Sequence, residues 1–348
     1  MPSARGIVHA GFALVAGLLF LWVDPARPAI AGPTVEAMRS KGALACGVST
    51  GVAGWSQPDA QGHWTGFDVD VCRAIAAAVL GDADKVTYVP LSAQQRFTAL
   101  QAGEVDVLSN RATWSLIRDA SLGINFLTIV FYDGQSFLVP KKLGLKTARQ
   151  LAGATICVQP GTTSELNLAD YLRTNHVDAK VLTIEDRDSV EQAYFSGRCD
   201  AFSTDATSLA ATRAGRAQSA DDHVILPERI SKEPLSPAVR HGDDEFFDIA
   251  KWSVYALIDA EEKGVTSANV DQMLKSDDPE IQRMLGVTPG MGKALGLDDQ
   301  WAYRIIKQVG NYGEIFERNV GINTPLHLER GQNALWTQGG MIYAPPIR

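Results

Sequence analysis

Short apolar runs alternate with longer amphipathic stretches along the first part of the chain. Apolar runs bounded by turn residues are typical of buried strands, whereas apolar positions three and four residues apart are typical of helices. The pattern predicts the order strand, helix, strand, helix, strand, with strands that include Ala43 to Val48 and Val105 to Leu108 and helices at Phe67 to Leu80 and Ala93 to Ala102. Such alternation predicts a doubly wound α/β unit.

The joint between helix and strand occurs twice. Residues 99–109 align without gaps with residues 193–203, and in both segments an amphipathic helix stops at a glycine, Gly103 or Gly197, before an apolar strand. Glycine is the usual residue at such a stop because it tolerates positive φ. Ordinary α/β proteins contain many joints of this kind, so the repeat favours two lobes of one architecture without requiring them.

The second unit begins with a predicted strand from Thr155 to Gln159. Thr162 and Glu165 then stand in the relation of a capping box, and a helix is predicted to follow. A helix start offers free amides and the positive end of a dipole, which together can seat an anion. Most capping boxes hold no ligand, so the box by itself indicates only a helix start.

Two connections must cross between the lobes, and the predicted crossover strands are Gln135 to Pro140 and Pro234 to Arg240. The helices predicted from Trp301 to Val309 and Tyr312 to Arg318 then rejoin the first lobe. The predicted domains are a first lobe of residues 32–135 and 235–348 and a second lobe of residues 136–234. The fold class is therefore α/β, with two Rossmann-like lobes joined by two crossover strands.

Residues 1–31 are predicted to be a signal peptide. Arg5 precedes an uncharged apolar run from Gly11 to Val23, and Ala29 to Ala31 offers small residues for cleavage. The alternative is a membrane anchor, but a run of 13 residues is shorter than the ~20 that span a bilayer as a helix. We therefore expect a mature protein that is free in the periplasm.

Charge and cysteine content exclude several partners. The chain has 32 Lys and Arg against 40 Asp and Glu, without a basic cluster, so nucleic acid is not an expected partner. Four cysteines in an oxidising compartment favour two disulfides, for which three pairings can be drawn. We expect the pairs that stay within a lobe, Cys46 with Cys72 and Cys157 with Cys199. Neither cysteines nor histidines have ligand spacing, so no metal or cofactor is predicted.

One segment matches an enzyme motif. Residues 47–51 fit the G-x-S-x-G pattern after a predicted strand, as in a hydrolase nucleophile elbow. The elbow must lead into a helix, whereas the sequence Val-Ala-Gly-Trp-Ser-Gln-Pro follows here. Dinucleotide, P-loop and zinc-protease motifs are absent from the sequence. We therefore predict that the protein is not an enzyme.

Two strand ends carry groups that suit a zwitterion. The segment Ser109 to Arg118 leaves the end of a strand, where open α/β sheets place ligands, and an arginine surrounded by hydroxyls suits a carboxylate. In the second lobe Asp205 leaves the equivalent strand end and could pair with an ammonium. On the residues alone, a surface ion pair of Arg118 with Asp119 and a helix cap at Asp205 are the favoured interpretation.

The sequence resembles a known family. Gly66 to Ala76 (Gly-Phe-Asp-Val-Asp-Val-Cys-Arg-Ala-Ile-Ala) resembles the signature of the family 3 solute-binding proteins, which bind polar amino acids for bacterial ABC importers. Ser236 to Arg240, Gly310 to Glu314 and Tyr343 to Pro346 are similar to the general L-amino-acid binding proteins of proteobacteria. The resemblance covers nearly all of the predicted mature chain. It implies the fold of periplasmic binding proteins of type II.

The resemblance also implies roles for individual residues. Arg118 falls at the family's α-carboxylate arginine, and Asp205 at the acid that receives the α-ammonium. Hydroxyl contacts to the carboxylate are implied for Thr113 and Thr163. The remaining expected ligand contacts are their neighbours Thr162, Ser164, Asn110 and Arg111.

The side-chain pocket departs from the family pattern. Many relatives carry an acid and a covering aromatic near Ser49 and Val52, and this chain has neither. Trp55 or Trp114 could supply an aromatic wall instead, although each would equally suit a core position.

The resemblance implies a monomeric binding protein that closes two lobes around a free L-amino acid and delivers it to a membrane permease of an ABC importer. Broad specificity is expected because the side-chain pocket lacks dedicated groups. The main alternative is an enzyme on the same scaffold, similar to cyclohexadienyl dehydratases, for which the sequence offers no spare buried carboxylate. A sensor that docks on a chemoreceptor is a third reading.

Overall fold

The computed structural model describes residues 32–348, and the predicted signal peptide lies outside the described residues. The strands are β1 (Leu44–Val48), β2 (Gln57–Pro58), β3 (Trp64–Thr65), β4 (Val86–Pro90), β5 (Val107–Leu108), β6 (Ile124–Phe126), β7 (Phe131–Asp133), β8 (Gln135–Pro140), β9 (Thr155–Val158), β10 (Lys180–Thr183), β11 (Ala201–Asp205), β12 (His223–Ile225), β13 (Glu233–Leu235) and β14 (Ala238–Arg240). The helices are α1 (Pro33–Lys41), α2 (Phe67–Leu80), α3 (Arg96–Ala102), α4 (Leu116–Ser121), α5 (Thr163–Thr174), α6 (Arg187–Phe195), α7 (Ala206–Arg216), α8 (Asp244–Glu262), α9 (Val270–Met273), α10 (Pro279–Met284), α11 (Met291–Ala294), α12 (Trp301–Val309) and α13 (Tyr312–Asn319).

Two five-stranded sheets form the centres of two lobes. The first has the order β4-β1-β5-β14-β6, and the second has the order β10-β9-β11-β8-β12. In each sheet three neighbouring strands are parallel, and the strand beside them, β14 or β8, is antiparallel. The predicted α/β fold with two lobes is confirmed.

The chain crosses between the sheets through a separate pair of strands. β7 and β13 pair antiparallel, with Glu233 opposite Asp133. After β7 the chain enters the second sheet at Gln135, and after β13 it re-enters the first sheet at Ala238. The predicted crossover segment Gln135 to Pro140 is therefore strand β8 of the second sheet, whereas Pro234 to Arg240 covers the end of β13 and all of β14.

Helix α2 has the bounds that the sequence predicts. It is buried at nearly every position, and it packs against α8 and α12 from the C-terminal half of the chain. Gly81 ends it with φ of 77°, and Gly66 precedes it with φ of 132°. A Cβ on Gly66 would lie 2.2 Å from the Trp55 carbonyl oxygen, so only glycine fits that position.

Helix α3 begins three residues later than the sequence predicts. Residues 93–95 form a turn instead, and the Ser92 hydroxyl accepts a hydrogen bond from the Gln95 amide at 3.3 Å. Serine favours such local bonds to the backbone, and these compete with helix formation. The helix therefore starts at Arg96, which points this side chain towards the site described below.

Two disulfides link strands to neighbouring segments. Cys46 on β1 is bonded to Cys72 on α2, and Cys157 on β9 is bonded to Cys199, just before β11. These are the pairs expected from the sequence, and each joins residues on the same side of the crossover strands.

The C-terminal segment packs on the side of the first sheet. The Tyr312 hydroxyl donates to the Val130 carbonyl, 182 positions away, at 2.9 Å. Asn333 bonds both the amide and the carbonyl of Tyr132 on β7. The end of the chain is thus tied to the strand through which the chain leaves the first lobe.

Candidate ligand-binding site

A cavity of about 290 Å³ lies between the two sheets. Its volume falls at the lower end of the range of about 300 to 1,000 Å³ that is usual for small-molecule sites. Side chains from both lobes line it: Ser49, Thr50, Leu91, Ser92, Ala93, Gln95, Arg96, Asn110, Arg111, Thr113, Gln159, Thr162, Thr163, Ser164, Glu185, Asp186, Arg187, Thr204 and Asp205. Seven of the residues expected to contact ligand therefore share one wall: Asn110, Arg111, Thr113, Thr162, Thr163, Ser164 and Asp205.

The segment after β5 supplies the first-lobe part of this wall. Arg111 has a positive φ of 46°, which is uncommon for a residue with a side chain and marks a constrained position. Its guanidinium reaches across the cavity and donates to the Ser208 hydroxyl of α7. The Asn110 carbonyl accepts from Arg96 at 3.0 Å, which ties the segment to the start of α3.

The start of α5 supplies part of the second-lobe wall. The Thr162 hydroxyl accepts from the Glu165 amide at 3.2 Å and caps the helix, as the sequence predicts. The reciprocal bond of the predicted box is different, because the Glu165 carboxylate accepts from the Gly161 amide at 3.0 Å instead of from Thr162. Thr163 and Ser164, one and two residues further on, then reach the cavity.

A buried carboxylate on the crossover strand connects the two lobes. One oxygen of Glu233 accepts from the hydroxyls of Thr113 at 2.5 Å and Thr163 at 2.9 Å. The other accepts from Asn167 at 2.7 Å and from Ser231 at 2.5 Å. The two threonine hydroxyls lie 3.3 Å apart, so the lobes touch here. No motif marks Glu233 in the sequence. It is buried, but both of its oxygens are engaged, so it is not the spare carboxylate that a dehydratase-like enzyme would need.

Arg118 lies directly behind Thr113, outside the cavity wall. Its guanidinium is 4.9 Å from the centre of the Phe97 ring, and Nη1 donates to the Thr113 carbonyl at 3.0 Å. Burial lowers its pKa below the ordinary arginine value. The structure therefore places Arg118 next to the predicted carboxylate contacts but further from the cavity than they are.

Trp55 belongs to the core. It is fully buried, and its ring lies 5.0 Å from Phe131 and 5.5 Å from Phe67. The Arg111 guanidinium carbon lies 5.9 Å from the ring centre, so that arginine stands nearest to it on the cavity side. The aromatic wall suggested for Trp55 is wrong, because this side chain fills the apolar space under α2.

Three arginines give the cavity a positive wall. Arg96, Arg111 and Arg187 line it, and Arg96 and Arg187 are buried. Burial lowers the pKa of Arg96 to about 9, helped by the like charges of Arg118 and Arg111, and lowers that of Arg187 to about 10. Both therefore remain charged at neutral pH.

The arginine wall has unused hydrogen-bonding capacity. The Nε groups of Arg96 and Arg111 are buried without a hydrogen-bond partner among residues 32–348. Unpaired buried donors are costly, and an anion in the cavity would remove that cost. No motif marks Arg96 or Arg187 in the sequence, since each is a single arginine at the first position of a helix.

Asp205 is the matching acid at the end of β11. It is buried, and burial together with the negative charges of Asp133 and Glu233 raises its pKa to about 8. Burial also raises the pKa of Asp133 on the crossover strand, although its carboxylate accepts a hydrogen bond from the Thr207 hydroxyl. A cation bound at Asp205 would reverse this shift, because it stabilises the carboxylate.

Within residues 32–348, no three His, Cys, Asp or Glu side chains are grouped as a metal site would require. In the same range, no helix has both the length and the apolar character needed to cross a membrane.

Known proteins share this architecture. The general L-amino acid-binding periplasmic protein AapJ of Rhizobium johnstonii is 53% identical over 92% of this chain and 94% of its own length. The glutamate/glutamine/aspartate/asparagine-binding protein BztA of Rhodobacter capsulatus is 51% identical over 92% of this chain and 95% of its own. Both relatives are named as binding proteins and neither as an enzyme.

A solved structure is similar over almost its entire length. It is an ABC transporter / periplasmic binding protein from Brucella ovis with glutathione bound, 51% identical, with a TM-score of 0.89 over 90% of this chain and 99% of that one. Residues 44–283 also match the model of one protein family. The chain belongs to the bacterial extracellular solute-binding proteins, family 3.

Proposed function

We propose that this protein binds free L-amino acids in the periplasm and delivers them to the membrane permease of an ABC importer. The observation that carries the proposal is the cavity between the lobes, which is lined both by a buried acid at the end of β11 and by three arginines. Opposite charges at fixed positions suit a zwitterion. The names of AapJ and BztA support an amino acid as the ligand. The name of the Brucella ovis structure, an ABC transporter / periplasmic binding protein, supports a transporter as the partner.

The proposed ligand contacts divide between the lobes. Asp205 would receive the α-ammonium. The α-carboxylate would lie beside Thr113 and Thr163 at the start of α5, where the amides of the helix start would donate to it because both threonine hydroxyls already donate to Glu233. Arg118 would supply positive charge from behind Thr113. Only closure brings both lobes to the ligand, so ligand binding favours the closed form. The first lobe would comprise residues 32–135 and 235–348, the second residues 136–234, and the protein would act as a monomer.

Broad specificity follows from the wall near the side chain. The loop Ser49 to Gly54 offers small or apolar residues, and the arginines are not arranged around one particular group. Side chains of different polarity should fit, and those with a carboxylate or amide should gain most from the positive wall. Fixing both α-groups should exclude D-enantiomers, whose side chains would point into the protein.

Calorimetry of residues 32–348 against the proteinogenic L-amino acids, their D-enantiomers and prephenate tests the proposal, with product analysis in the same samples. We expect saturable binding of several L-amino acids and no turnover of prephenate. Binding of one amino acid at least about a hundredfold better than all others, about 2.7 kcal/mol, would contradict broad specificity. Conversion of prephenate would favour the dehydratase alternative.

A further inference from the structure

A second cavity of about 280 Å³ adjoins the first. Both cavities are lined by Thr50 from the first lobe and Arg187 from the second, so these two side chains form the partition between them. Beyond the partition, small residues such as Gly51, Ala53 and Gly215 leave the space open.

The charges of the second cavity are mostly neutralised. Glu191 accepts from Thr212 and from Arg216, and it forms an ion pair of 2.8 Å with Arg187. Arg216 also pairs with Asp188. The Arg187 nitrogen in that ion pair, Nη2, also donates to the Thr212 hydroxyl at 3.0 Å, and the other two nitrogens have no hydrogen-bond partner in residues 32–348. Arg187 thus keeps donors for a ligand at the junction of the two cavities.

We propose that the two cavities together bind amino acids that are extended through their side chains, above all γ-glutamyl peptides. This inference rests on the proposed function. If the first cavity holds both the α-ammonium and the α-carboxylate, a peptide fits only when its linkage leaves both groups free. A γ-linkage does so and an α-linkage does not. The extension passes Thr50 and Arg187 into the second cavity, where Arg187 meets its carbonyl or carboxylate oxygens.

The similar Brucella ovis structure supports this ligand class, because it has glutathione bound, and glutathione is a γ-glutamyl tripeptide. Free amino acids would fill the first cavity only. The same protein would therefore accept both ligand classes, with the second cavity used by the longer one.

The test compares reduced glutathione with its isomer in which glutamate is α-linked, and with L-glutamate, by calorimetry under reducing-agent-free conditions. We expect glutathione and L-glutamate to bind, and the α-linked isomer to bind at least about tenfold more weakly than glutathione. Equal affinities for the two isomers would overturn the inference. Binding of L-glutamate without glutathione would also overturn it and leave the proposed function intact, whereas failure to bind any amino acid would refute the proposed function itself.

A pair of variants tests whether the part of the peptide beyond the γ-linkage lies in the second cavity. Gly215 lies on α7 at the wall of the second cavity only, and a Cβ there would meet no atom within 4 Å. Gly215→Trp should weaken glutathione binding at least about tenfold and leave L-glutamate within about twofold, whereas Gly215→Ala should leave both affinities unchanged. Unchanged glutathione affinity in folded Gly215→Trp, or an equal loss for both ligands, would overturn the use of this cavity. If Gly215→Trp does not fold, the comparison of the two isomers on the unaltered protein decides alone.

Discussion

The ionisable side chains of the site differ in how burial affects their charge. Burial keeps Asp205 protonated up to about pH 8, whereas Arg96 and Arg187 stay charged despite burial, because arginine starts from a much higher pKa. The empty site therefore holds more positive than negative charge. A zwitterion changes that balance, since its ammonium draws the proton off Asp205.

Ligand binding should release a proton from Asp205. The pKa of this acid is raised to about 8, so at pH 6.5 the empty site holds the proton, and the bound ammonium favours the carboxylate. Affinity for L-alanine should rise with pH by up to about tenfold per unit until pH 8 and then level off. Calorimetry in buffers of different ionisation enthalpy measures the proton directly.

Asp205→Asn is the control for this proton. The variant should bind more weakly, without proton release and without the rise in affinity between pH 6 and 8. A binding enthalpy for the unaltered protein that is the same in all buffers at pH 6.5 would contradict the assignment of the ammonium to Asp205.

Loss of Arg118 should affect all amino acids alike. Every ligand has the same α-carboxylate, and Arg118 acts on it from behind Thr113, so its loss should cost less than the roughly 2 to 5 kcal/mol of a direct buried charge pair. We expect Arg118→Ala to lose binding of L-alanine, L-glutamate and L-glutamine by the same factor, measured by calorimetry. Arg149→Ala is the control, because Arg149 is exposed and lies far from Arg118 in the sequence. Unaltered affinity of Arg118→Ala for any of the three would show that the carboxylate lies elsewhere.

Sequence reasoning brought some site residues together and missed others for identifiable reasons. Thr113, Thr163 and Asp205 each follow a strand or open a helix, and the ends of parallel strands meet at one edge of a sheet. Glu233 has no such marker. Its partner Thr113 is 120 positions away, and that contact exists only because the lobes face each other.

At the scale of elements, glycines at positive φ explain why α2 was predicted to the residue. Gly66 and Gly81 stand at its two ends, and neither position suits a side chain. The predicted start of α3 was wrong because the Ser92 hydroxyl bonds the Gln95 amide and this local bond competes with helix formation. The spacing of apolar residues does not reveal such a bond.

Alanine substitution should have different effects on stability at the two glycines that flank α2. Gly81→Ala meets no atom within 4 Å and should cost about 1 to 2 kcal/mol from the left-handed backbone alone. Gly66→Ala would add a collision with the Trp55 carbonyl, so the free energy of unfolding should fall by at least about 3 kcal/mol. Urea unfolding of both variants measures the difference, and equal losses would mean that the backbone around Gly66 relaxes easily.

At the scale of the molecule, Glu233 holds the lobes together across the crossover strands. It bonds Thr113 from one lobe and Thr163 and Asn167 from the other. These bonds stabilise the closed form before any ligand arrives. The apparent affinity of a ligand for the closed form rises with the fraction of protein already closed.

Glu233→Gln should therefore open the empty protein. The amide has one acceptor oxygen where the carboxylate has two, and bonds to a charged group are worth about 1.5 to 3 kcal/mol. We expect a larger radius of gyration by small-angle X-ray scattering without ligand, and an affinity for amino acids lowered by about tenfold or more. Glu228→Gln is the matched control, because the one hydrogen bond that the Glu228 side chain accepts within residues 32–348 comes from the Ala148 amide of the same lobe. Identical scattering of both variants would contradict the role of Glu233.

The interrupted course of the chain has a kinetic consequence. All strands of the second sheet lie between Gln135 and Ile225. The first sheet is complete only when β14 has joined it. Its side of the molecule also depends on contacts such as that of Asn333 with Tyr132, two residues that are 201 positions apart. Distant contacts form slowly because a long loop must close first. Pulsed hydrogen exchange during refolding should show amides of the second sheet protected before those of β5 and β14. During synthesis the second lobe would thus fold before the chain is complete, whereas the first lobe would fold only after the last residues have been made.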